Sequence, residues 1–444
     1  MVDGSQLGVW WVIPFAGTLL SIAVMPLAVP RFWHHHFGKV AAFWGLCFFL
    51  PFIGAFGAST ALHEFVHTLL LDYVPFIILL FALFTVAGGV RLRGKLKGGP
   101  AVNTLLLAIG TIIASIMGTT GAAMLMIRPV IAANAWRTHK VHIMVFLIFL
   151  VANIGGSLTP LGDPPLFLGF LRGVDFEWPL IHLWQPMLFA SIVLLVLFYL
   201  IDTFYMAKER HRAPTHVDES LGIEGAINVL LLAAIVGAVL LSGLWKPGIS
   251  VSVYGATIEL QNAVRDVALL AIAGLSLRLT PKALHDANGF SWGPIQEVAK
   301  LFAGIFATII PALAILKAGK AGALAPLVNL ATGPDGQPIN AWYFWLSGSL
   351  SSFLDNAPTY LIFFNMAGGD AELLMGPLAA TLAAISAGAV FMGANTYIGN
   401  APNFMVKAVA EERGIKMPSF FGYMAWSCAI LVPLFIVMTF IFFR

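Results

Sequence analysis

The sequence carries very little charge. Only 10% of its 444 residues are charged, 24 of them basic and 21 acidic, while 59% are hydrophobic. About a quarter of the residues of an average soluble domain are charged, and so few charges could not cover a water-soluble protein of this length. The composition therefore excludes soluble enzymes, nucleic-acid-binding proteins and disordered scaffolds. It indicates a polytopic membrane protein that lies in a lipid bilayer.

Cysteine is also scarce. The two cysteines, Cys47 and Cys428, both lie in apolar runs, so we expect no disulfide framework and interpret them as small packing residues. The net charge of +3 is too small to indicate an anionic partner, and we expect no nucleic acid partner.

Long apolar runs take the place of charge in this sequence. A membrane-spanning helix needs about 20 mostly apolar residues. Such runs lie at residues 10–30, 40–58, 73–90, 141–170, 185–206, 226–245, 266–281, 298–316, 376–406 and 420–443. The first run is too long for a signal-peptide core and no small-residue cleavage site follows it, so we expect it to be retained. Two further stretches, 101–135 and 341–366, are apolar but interrupted near their middles by small and polar residues.

The basic residues predict how the chain crosses the membrane, because cytoplasmic loops are enriched in Lys and Arg. Nearly all of their clusters fall on one side if 101–135 and 341–366 are re-entrant hairpins that enter and leave on the same face. The alternative is two ordinary spans each, but 35 and 26 residues are too short for that with a loop. We therefore predict ten spans and two hairpins, with both termini outside; Lys317 and Lys320 are exceptions to the charge rule.

A repeat occurs at an offset of 237 residues. Residues 157–165 read SLTPLGDPP and residues 394–402 read ANTYIGNAP, and the same offset aligns GTTGA at 118–122 with DNAPT at 355–359. The aligned pairs are Thr159 with Thr396, Gly162 with Gly399, Asp163 with Asn400, and Pro165 with Pro402. We therefore predict an all-α fold of two inverted repeats, each with five spans, one of them broken, and one re-entrant hairpin.

The repeat divides the chain into two halves. The first half is residues 1–206, with its broken span at 141–170, and the second is residues 223–444, with its broken span at 376–406. Residues 207–222 form a charged linker that we expect to be cytoplasmic.

Helix-breaking residues inside a membrane span indicate a function. Proline removes a backbone donor, and unpaired backbone groups in hydrocarbon are costly. Such a break persists where protein or a water-filled cavity satisfies the freed groups, and ions or substrates commonly bind there. Packing kinks would explain one such element, whereas two matched elements favour a secondary transporter with alternating access.

Two acidic residues lie at these breaks, Asp163 in the first broken span and Asp355 at the tip of the second hairpin. An intramembrane carboxylate is costly and indicates function. Oxygen ligands suit hard cations such as sodium, and a buried carboxyl group can bind a proton instead. We predict one sodium site at Asp163 and a pseudo-symmetric one at Asp355, although Thr and Asn side chains in membranes also bond within or between helices. The first set is Thr119, Thr120, Asn153, Thr159 and Asp163, and the second is Asp355, Asn356, Thr359, Asn395, Thr396 and Asn400.

Histidine and arginine provide further candidates. His63-Glu64-Phe65-Val66-His67 matches H-E-x-x-H, which on a helix can bind zinc, but it lies in the predicted external loop 59–72 without a convincing third ligand. We interpret it as an amphipathic loop segment, with a zinc intramembrane protease as a remote alternative, and we expect no enzyme. His34–His36 adds to the cytoplasmic basic clusters, with pH sensing as a weaker option. Arg128, on the return arm of the first hairpin, is expected to snorkel to the cytoplasmic face, and neutralising an anionic substrate is its alternative role.

Three segments carry a resemblance to a known family. They read N-x-G-G-S-x-T-P-x-G-D (Asn153 to Asp163), L-D-N-A-P-T (Leu354 to Thr359) and G-A-N-T-Y-I-G-N-A-P-N (Gly393 to Asn403). They resemble the ion transporter superfamily, in particular its sodium/proton antiporter branch with citrate-transporter-like relatives. The resemblance implies a scaffold domain, a mobile transport domain with hairpins and broken helices, frequent homodimers and elevator-type movement.

One departure from the family pattern bears on the cargo. Carboxylate transporters of the superfamily have Ser-Asn-Thr triplets at both hairpin tips, whereas this sequence has Gly-Thr-Thr and Asp-Asn-Ala. We therefore predict a sodium/proton antiporter of a bacterial inner membrane, with sodium or lithium and protons as its ions and no other cofactor. The alternative is a sodium- or proton-coupled transporter of citrate or another small carboxylate.

Overall fold

The protein is mostly helical, as its apolar runs predict. The computed structural model describes residues 2–94, 96–209 and 222–444, so most of the predicted linker 207–222 lies outside the described residues. Up to residue 209 the α-helices are α1 (Ile13–Ala28), α2 (Pro30–Phe56), α3 (Ala58–Thr68), α4 (Val74–Ala87), α5 (Pro100–Met117), α6 (Thr119–Ala133), α7 (Val141–Leu150), α8 (Pro164–Leu171) and α9 (Trp178–Ala207). From residue 222 onwards they are α10 (Ala226–Leu244), α11 (Leu260–Leu279), α12 (Lys282–Ala287), α13 (Gly293–Lys317), α14 (Ala325–Leu330), α15 (Asn340–Phe353), α16 (Asn356–Met366), α17 (Ala371–Met375), α18 (Ala379–Met392), α19 (Ala401–Glu412) and α20 (Phe420–Phe442).

Short elements connect or extend these helices. The 3₁₀ turns are Gly4–Gln6, Val9–Val12, Ile154–Leu158, Gly319–Ala321 and Gly393–Asn395, and a π-helical turn covers Leu69–Tyr73. The strands are β1 (Arg91–Arg93), β2 (Gly222–Glu224), β3 (Ser250–Val253) and β4 (Ala256–Glu259). β1 pairs antiparallel with β2, with Leu92 opposite Ile223, and β3 pairs antiparallel with β4.

Ten helices of the described part of the chain are long and apolar enough to cross a membrane. They are Val9–Ala28, Pro30–Phe56, Ala58–Ala87, Pro100–Met117, Val141–Leu158, Trp178–Ala207, Ala226–Leu244, Leu260–Leu279, Gly293–Lys317 and Phe420–Phe442. The prediction of an all-α polytopic membrane protein is therefore confirmed. This set includes the first arm of the first hairpin, and it lacks the predicted span 376–406, because the helical stretch Ala379–Asn395 is shorter.

The predicted external loop 59–72 is wrong. Helix α3 continues through the π-helical turn Leu69–Tyr73 into α4, so that Ala58–Ala87 is one span of 30 residues. The polar residues that suggested a loop do not all face water, since Glu64 and Asp72 are buried. A polar helix face that lies against a protein cavity has the same composition as a short loop, which is why the sequence misled.

The helices pack as two groups. Group A comprises α1–α4, α10, α11 and α13, and group B comprises α5–α9, α15, α16 and α18–α20. The main contacts between the groups are α13 against α16 and α4 against α6, with smaller ones between α5 and α10 and between α8 and the π-helical turn. The two groups therefore meet at a boundary where few of the described helices contact one another.

Small residues allow close helix contacts within each group. In group A, a Cβ atom on Gly304 of α13 would lie 2.8 Å from Cβ of Ala41 on α2. In group B, Gly110 of α5 approaches Val151, and Gly348 of α15 approaches Met392 at the end of α18. Such contacts replace the hydrophobic effect as the source of helix association in a membrane.

Candidate functional site

Two helical hairpins approach the centre of group B. In the first, α5 and α6 are joined at Gly118, whose φ of +82° favours glycine. The backbone N–H of Gly98 donates to the carbonyl of Ala133 over 2.9 Å, so the two open ends of this hairpin lie side by side. In the second, α15 and α16 are joined at Leu354 and Asp355.

Two broken helices meet the hairpin tips. The first consists of α7, the 3₁₀ turn Ile154–Leu158, non-helical residues and α8, which begins at Pro164. The second consists of α18, the 3₁₀ turn Gly393–Asn395, non-helical residues and α19. Proline in the first turn of α8 and of α19 fits these starts, because its missing N–H has no partner there.

The same contacts recur 237 residues apart along the chain. The hydroxyl of Thr159 donates to the carbonyl of Ser115, and the hydroxyl of Thr396 donates to the carbonyl of Ser352. Each break also has a close glycine pair. A Cβ atom on Gly162 would overlap with the carbonyl of Gly156, and one on Gly399 would overlap with that of Gly393.

Asp163 lies where the hairpins and broken helices converge. Its side chain is 1% exposed. Its Oδ1 accepts hydrogen bonds from Thr119 Oγ1 at 2.9 Å and from Asn400 Nδ2 at 3.1 Å, and its Oδ2 accepts one from Asn356 Nδ2 at 2.5 Å. Thr119 is the first residue of α6 and Asn356 the first of α16, so each hairpin tip contributes one donor to this carboxylate.

The structure does not keep the two predicted sets of ligands apart. Asn356 and Asn400, both assigned to the second set, bond to Asp163 of the first. Asn153 joins the same cluster, because its Oδ1 accepts a bond from Asn400 Nδ2 at 3.2 Å. The symmetry of the sequence suggested one site in each half, whereas these side chains form one cluster between the halves.

The other predicted ligands bond mainly to nearby backbone or side chains. Thr159 and Thr396, in the two broken helices, bond to the carbonyls of Ser115 and Ser352 in the neighbouring hairpins. Thr359 Oγ1 donates to the carbonyl of Asp355 at 3.0 Å, and Asn395 Nδ2 donates to Ser352 Oγ at 2.9 Å. Thr120 is half-buried and lines the cavity beside Asp163.

Asp355 has a different environment from Asp163. It is half-buried and lies at the N-terminus of α16. Its Oδ1 accepts the backbone N–H of Ala357 at 3.0 Å, so the side chain caps the helix. The carboxylate keeps a second oxygen for another ligand.

A small cavity of about 70 Å³ lies beside Asp163. Gly118, Thr119, Thr120 and Gly162 line it together with apolar side chains, and none of its described lining residues is Lys, Arg or His. Three neutral donors are therefore the hydrogen-bond partners of this buried negative charge. A water molecule takes about 30 Å³, so the space has room for a small ion together with one or two water molecules.

Two buried oxygens in this region, Oδ1 of Asn356 and Oδ1 of Asn395, have no hydrogen-bond partner among the residues that the structure describes. A buried acceptor without a donor is costly. A bound cation is one way to satisfy the Asn356 oxygen, whose amide nitrogen already bonds to Asp163.

A second buried carboxylate was missed in the sequence. Asp202, on α9, is fully buried, forms an ion pair with Arg137 at 2.6 Å and bonds to His142 at 2.7 Å and Asn103 at 2.9 Å. Asn103 also bonds to Asn134 at 3.0 Å, which ties both arms of the first hairpin to α9. Asp202 lies inside the predicted span 185–206 but close to its end, where an acidic residue is also typical of a span boundary.

The H-E-x-x-H residues lie on α3 of group A and are not among the residues that line the cavity beside Asp163. One ring nitrogen of His63 lies 3.1 Å from the carbonyl oxygen of Tyr254, and the rings of His63 and His67 are 6.3 Å apart. Within the described residues, no three His, Cys, Asp or Glu side chains are grouped so that they could hold a metal ion. Nearby, Asp72 of the π-helical turn pairs with Arg172 of group B at 2.9 Å.

The described part of the chain combines many apolar spans with two broken helices and two hairpin tips that meet at a buried carboxylate. This arrangement is typical of a membrane transporter. Residues 4–443 match the family described as "Putative citrate transport", and the chain belongs to that family. This confirms the resemblance to an ion transporter family with citrate-transporter-like relatives. No curated protein matches the chain.

Proposed function

We propose that the chain is a secondary active transporter that exchanges sodium or lithium for protons at Asp163. The observation that carries the proposal is a fully buried carboxylate whose hydrogen-bond partners are three neutral donors. A charge buried in this way is costly, and a bound cation or a proton neutralises it. Because the same oxygens would bind either one, sodium and protons compete, and competition at one site is sufficient for exchange.

The connections of the site support alternating access. The cavity beside Asp163 shares Thr120, Gly121 and Met405 with a cavity of about 460 Å³. A third cavity, of about 360 Å³ and lined by Asp72 and Arg172, shares no lining residue with the Asp163 cavity. The site therefore lies next to a cavity at one end of the boundary between the groups and not next to the cavity at Asp72 and Arg172. We interpret this as a state open to the side of the basic clusters, which the charge distribution makes cytoplasmic.

The few helix contacts between the groups support an elevator-type movement. In this proposal, group B contains the ion site and moves against group A, which serves as the scaffold. The family resemblance adds a homodimer, a bacterial inner membrane and, with the charge distribution, both termini outside. Asp355 remains the proposed ligand of a second sodium ion, through the carboxylate oxygen that does not cap α16.

Everted membrane vesicles with a pH-sensitive dye test the exchange. We expect sodium to change the dye signal in vesicles with the wild-type protein and to have no effect with Asp163→Asn. Asp335→Asn, at an exposed loop position, is the matched control and should behave as wild type. A dye signal that does not depend on sodium, or full activity in Asp163→Asn, would refute the proposal.

A second candidate is citrate transport coupled to sodium or protons, which the family match favours. In this case Asp163 would bind the coupling ion and the cargo would bind elsewhere. Uptake of labelled citrate into proteoliposomes under a sodium gradient separates the two candidates, because an antiporter of cations takes up none.

A further inference from the structure

A strongly basic cavity lies at one end of the boundary between the groups. It has a volume of about 450 Å³. Of its described lining residues, Arg91, Arg93, Arg128 and Arg413 are basic and none is acidic. We call it the arginine cavity.

The arginine cavity lies next to the cavities that lead towards Asp163. It shares Arg128, Arg413 and Asn288 with the cavity of about 460 Å³. That cavity in turn shares Thr120 and Gly121 with the space beside Asp163. A solute that enters from this end would therefore pass the arginines before it reached the hairpin tip.

Five other arginines have acidic partners. Arg137 pairs with Asp202 at 2.6 Å, Arg172 with Asp72 at 2.9 Å, and Arg265 with Asp266 at 2.8 Å. Arg91 and Arg93, in the arginine cavity, both contact Glu224, at 3.3 and 3.8 Å.

Arg128 and Arg413 lack such partners. Within the described residues neither forms an ion pair, and the buried Nε of Arg128 has no hydrogen-bond partner. Asp286 and Glu412 line the neighbouring cavity without pairing with either arginine. The two guanidinium groups therefore leave positive charge available along the route.

The contacts of Arg128 do not fit a side chain that only extends into water. It lies nine residues after Thr119 on α6, which is about 13 Å along the helix axis from the hairpin tip. A Cβ atom on Gly289 would lie 2.7 Å from Arg128 Nη2, so the guanidinium packs against the backbone of that loop. The side chain of Asn288 fixes the loop to group A by bonds to the carbonyls of Gly88 and Val90. Arg128 thus extends from group B across the boundary.

We infer that Arg128 and Arg413 form a binding site for a small polycarboxylate anion, distinct from the cation site at Asp163. Guanidinium groups bind carboxylates through two parallel hydrogen bonds, and two arginines match an anion with at least two carboxylates. The volume lies within the range of small-molecule sites, about 300 to 1,000 Å³. Positive charge along a route disfavours the passage of cations and favours that of anions. The inference rests on the proposal that this route is the transport pathway, and it favours the second candidate, coupled transport of an anion, over exchange of cations alone.

Equilibrium binding to the purified full-length protein in zwitterionic lipid nanodiscs tests the inference without requiring transport. We expect citrate to raise the unfolding temperature of the wild type, and inorganic phosphate and acetate to have less effect. Arg128→Gln and Arg413→Gln should each weaken citrate binding about tenfold, which corresponds to the loss of a charged hydrogen bond. Arg278→Gln, at the exposed end of α11, is the matched control and should bind as the wild type does.

Two controls keep the result interpretable. Arg128→Lys keeps the charge but loses the paired geometry, so its affinity should fall between those of the wild type and Arg128→Gln. Asp163→Asn should retain citrate binding. Citrate binding without sodium exchange would refute the exchange and support the anion site. Sodium exchange without citrate binding would support the exchange and refute the anion site.

Three results would overturn the inference. One is an absence of citrate stabilisation in the wild type, and another is an equal loss of affinity in Arg278→Gln. The third concerns anionic lipids, whose headgroups present similar oxygens. Stabilisation by an anionic lipid that depends on Arg128, without any effect of citrate, would assign these arginines to the membrane surface instead.

Discussion

Thr119 and Asn356 occupy corresponding positions in the two halves of the molecule, 237 residues apart, and both donate hydrogen bonds to Asp163. The position that corresponds to Asp163 is Asn400, and its amide also donates to Asp163. The halves thus contribute matching backbone structures and similar donors but only one carboxylate at the centre. Two similar sets of contacts thus surround one carboxylate, and in our proposal this asymmetry places the central ion site at Asp163.

The second half has its acidic residue at a different place. Asp355 corresponds to Gly118, the residue at the turn of the first hairpin. Glycine forms that turn through a positive φ, whereas Asp355 caps the following helix. The two aspartates for which we predicted pseudo-symmetric sites therefore have different environments, and the predictions below test how far their roles differ.

Moving the central carboxylate should have the largest effect. Asp163→Asn should reduce sodium-dependent exchange at least about 100-fold, because an amide side chain neither binds a proton at the pH of the assay nor carries a negative charge that neutralises a cation. The double variant Asp163→Asn/Asn400→Asp moves the carboxylate to the corresponding position of the other half, where the two side chains lie 3.1 Å apart. It should regain about a tenth of the wild-type rate in the everted-vesicle assay. A double variant no better than Asp163→Asn would mean that the two positions are not interchangeable.

Removing one hairpin donor should have a smaller effect. Thr119→Val and Asn356→Leu each remove one bond to Asp163, and a charged hydrogen bond is worth about 1.5 to 3 kcal/mol. We expect the sodium concentration for half-maximal exchange to rise about tenfold or more in each variant. The rise should be larger in Asn356→Leu, because the buried Oδ1 of Asn356 has no hydrogen-bond partner among the described residues and is available to bind the ion. Equal sodium dependence in either variant and the wild type would exclude that residue from the ion site.

Asp355 can be tested separately as a charge and as a helix cap. Asparagine caps a helix about as well as aspartate, so Asp355→Asn removes the charge alone. If a second sodium ion binds there, we expect a loss of sodium affinity of a few-fold without a change in stability. Asp355→Ala should in addition reduce the free energy of unfolding by about 1 kcal/mol. Wild-type sodium dependence in Asp355→Asn would leave only the capping role.

The paired threonine bonds should have the smallest and most equal effects. Thr159→Val and Thr396→Val each remove a hydroxyl bond to a backbone carbonyl. They also remove the backbone N–H bonds that these oxygens accept, from Leu161 at Thr159 and from Ile398 and Gly399 at Thr396. Each should lower the free energy of unfolding in detergent by about 1 kcal/mol, with no direct change in sodium affinity. A much larger effect in one half than in the other would contradict the equivalence of the two breaks.

Much of the fold could be predicted because its signals are local. Apolar runs give the spans, and Gly, Pro and Asp inside such runs mark the segments around Asp163 and Asn400. What could not be predicted depends on contacts between distant segments. Asp202 receives bonds from residues 103, 137 and 142, and nothing in the neighbourhood of any of them indicates this meeting. The assignment of Asn356 to a separate site failed for the same reason, since adjacency in one repeat does not determine contacts across two.

The cluster around Asp202 has a mechanical consequence for the first hairpin. Asn103 and Asn134 lie near the open ends of its two arms, and the buried ion pair of Asp202 with Arg137 holds this base against α9. Breaking such a buried pair is costly, so we expect α5 and α6 to stay together at the base of the hairpin. We therefore expect the first hairpin and α9 to move as one unit in the proposed transport cycle, which would preserve the bond between Thr119, at the hairpin tip, and Asp163.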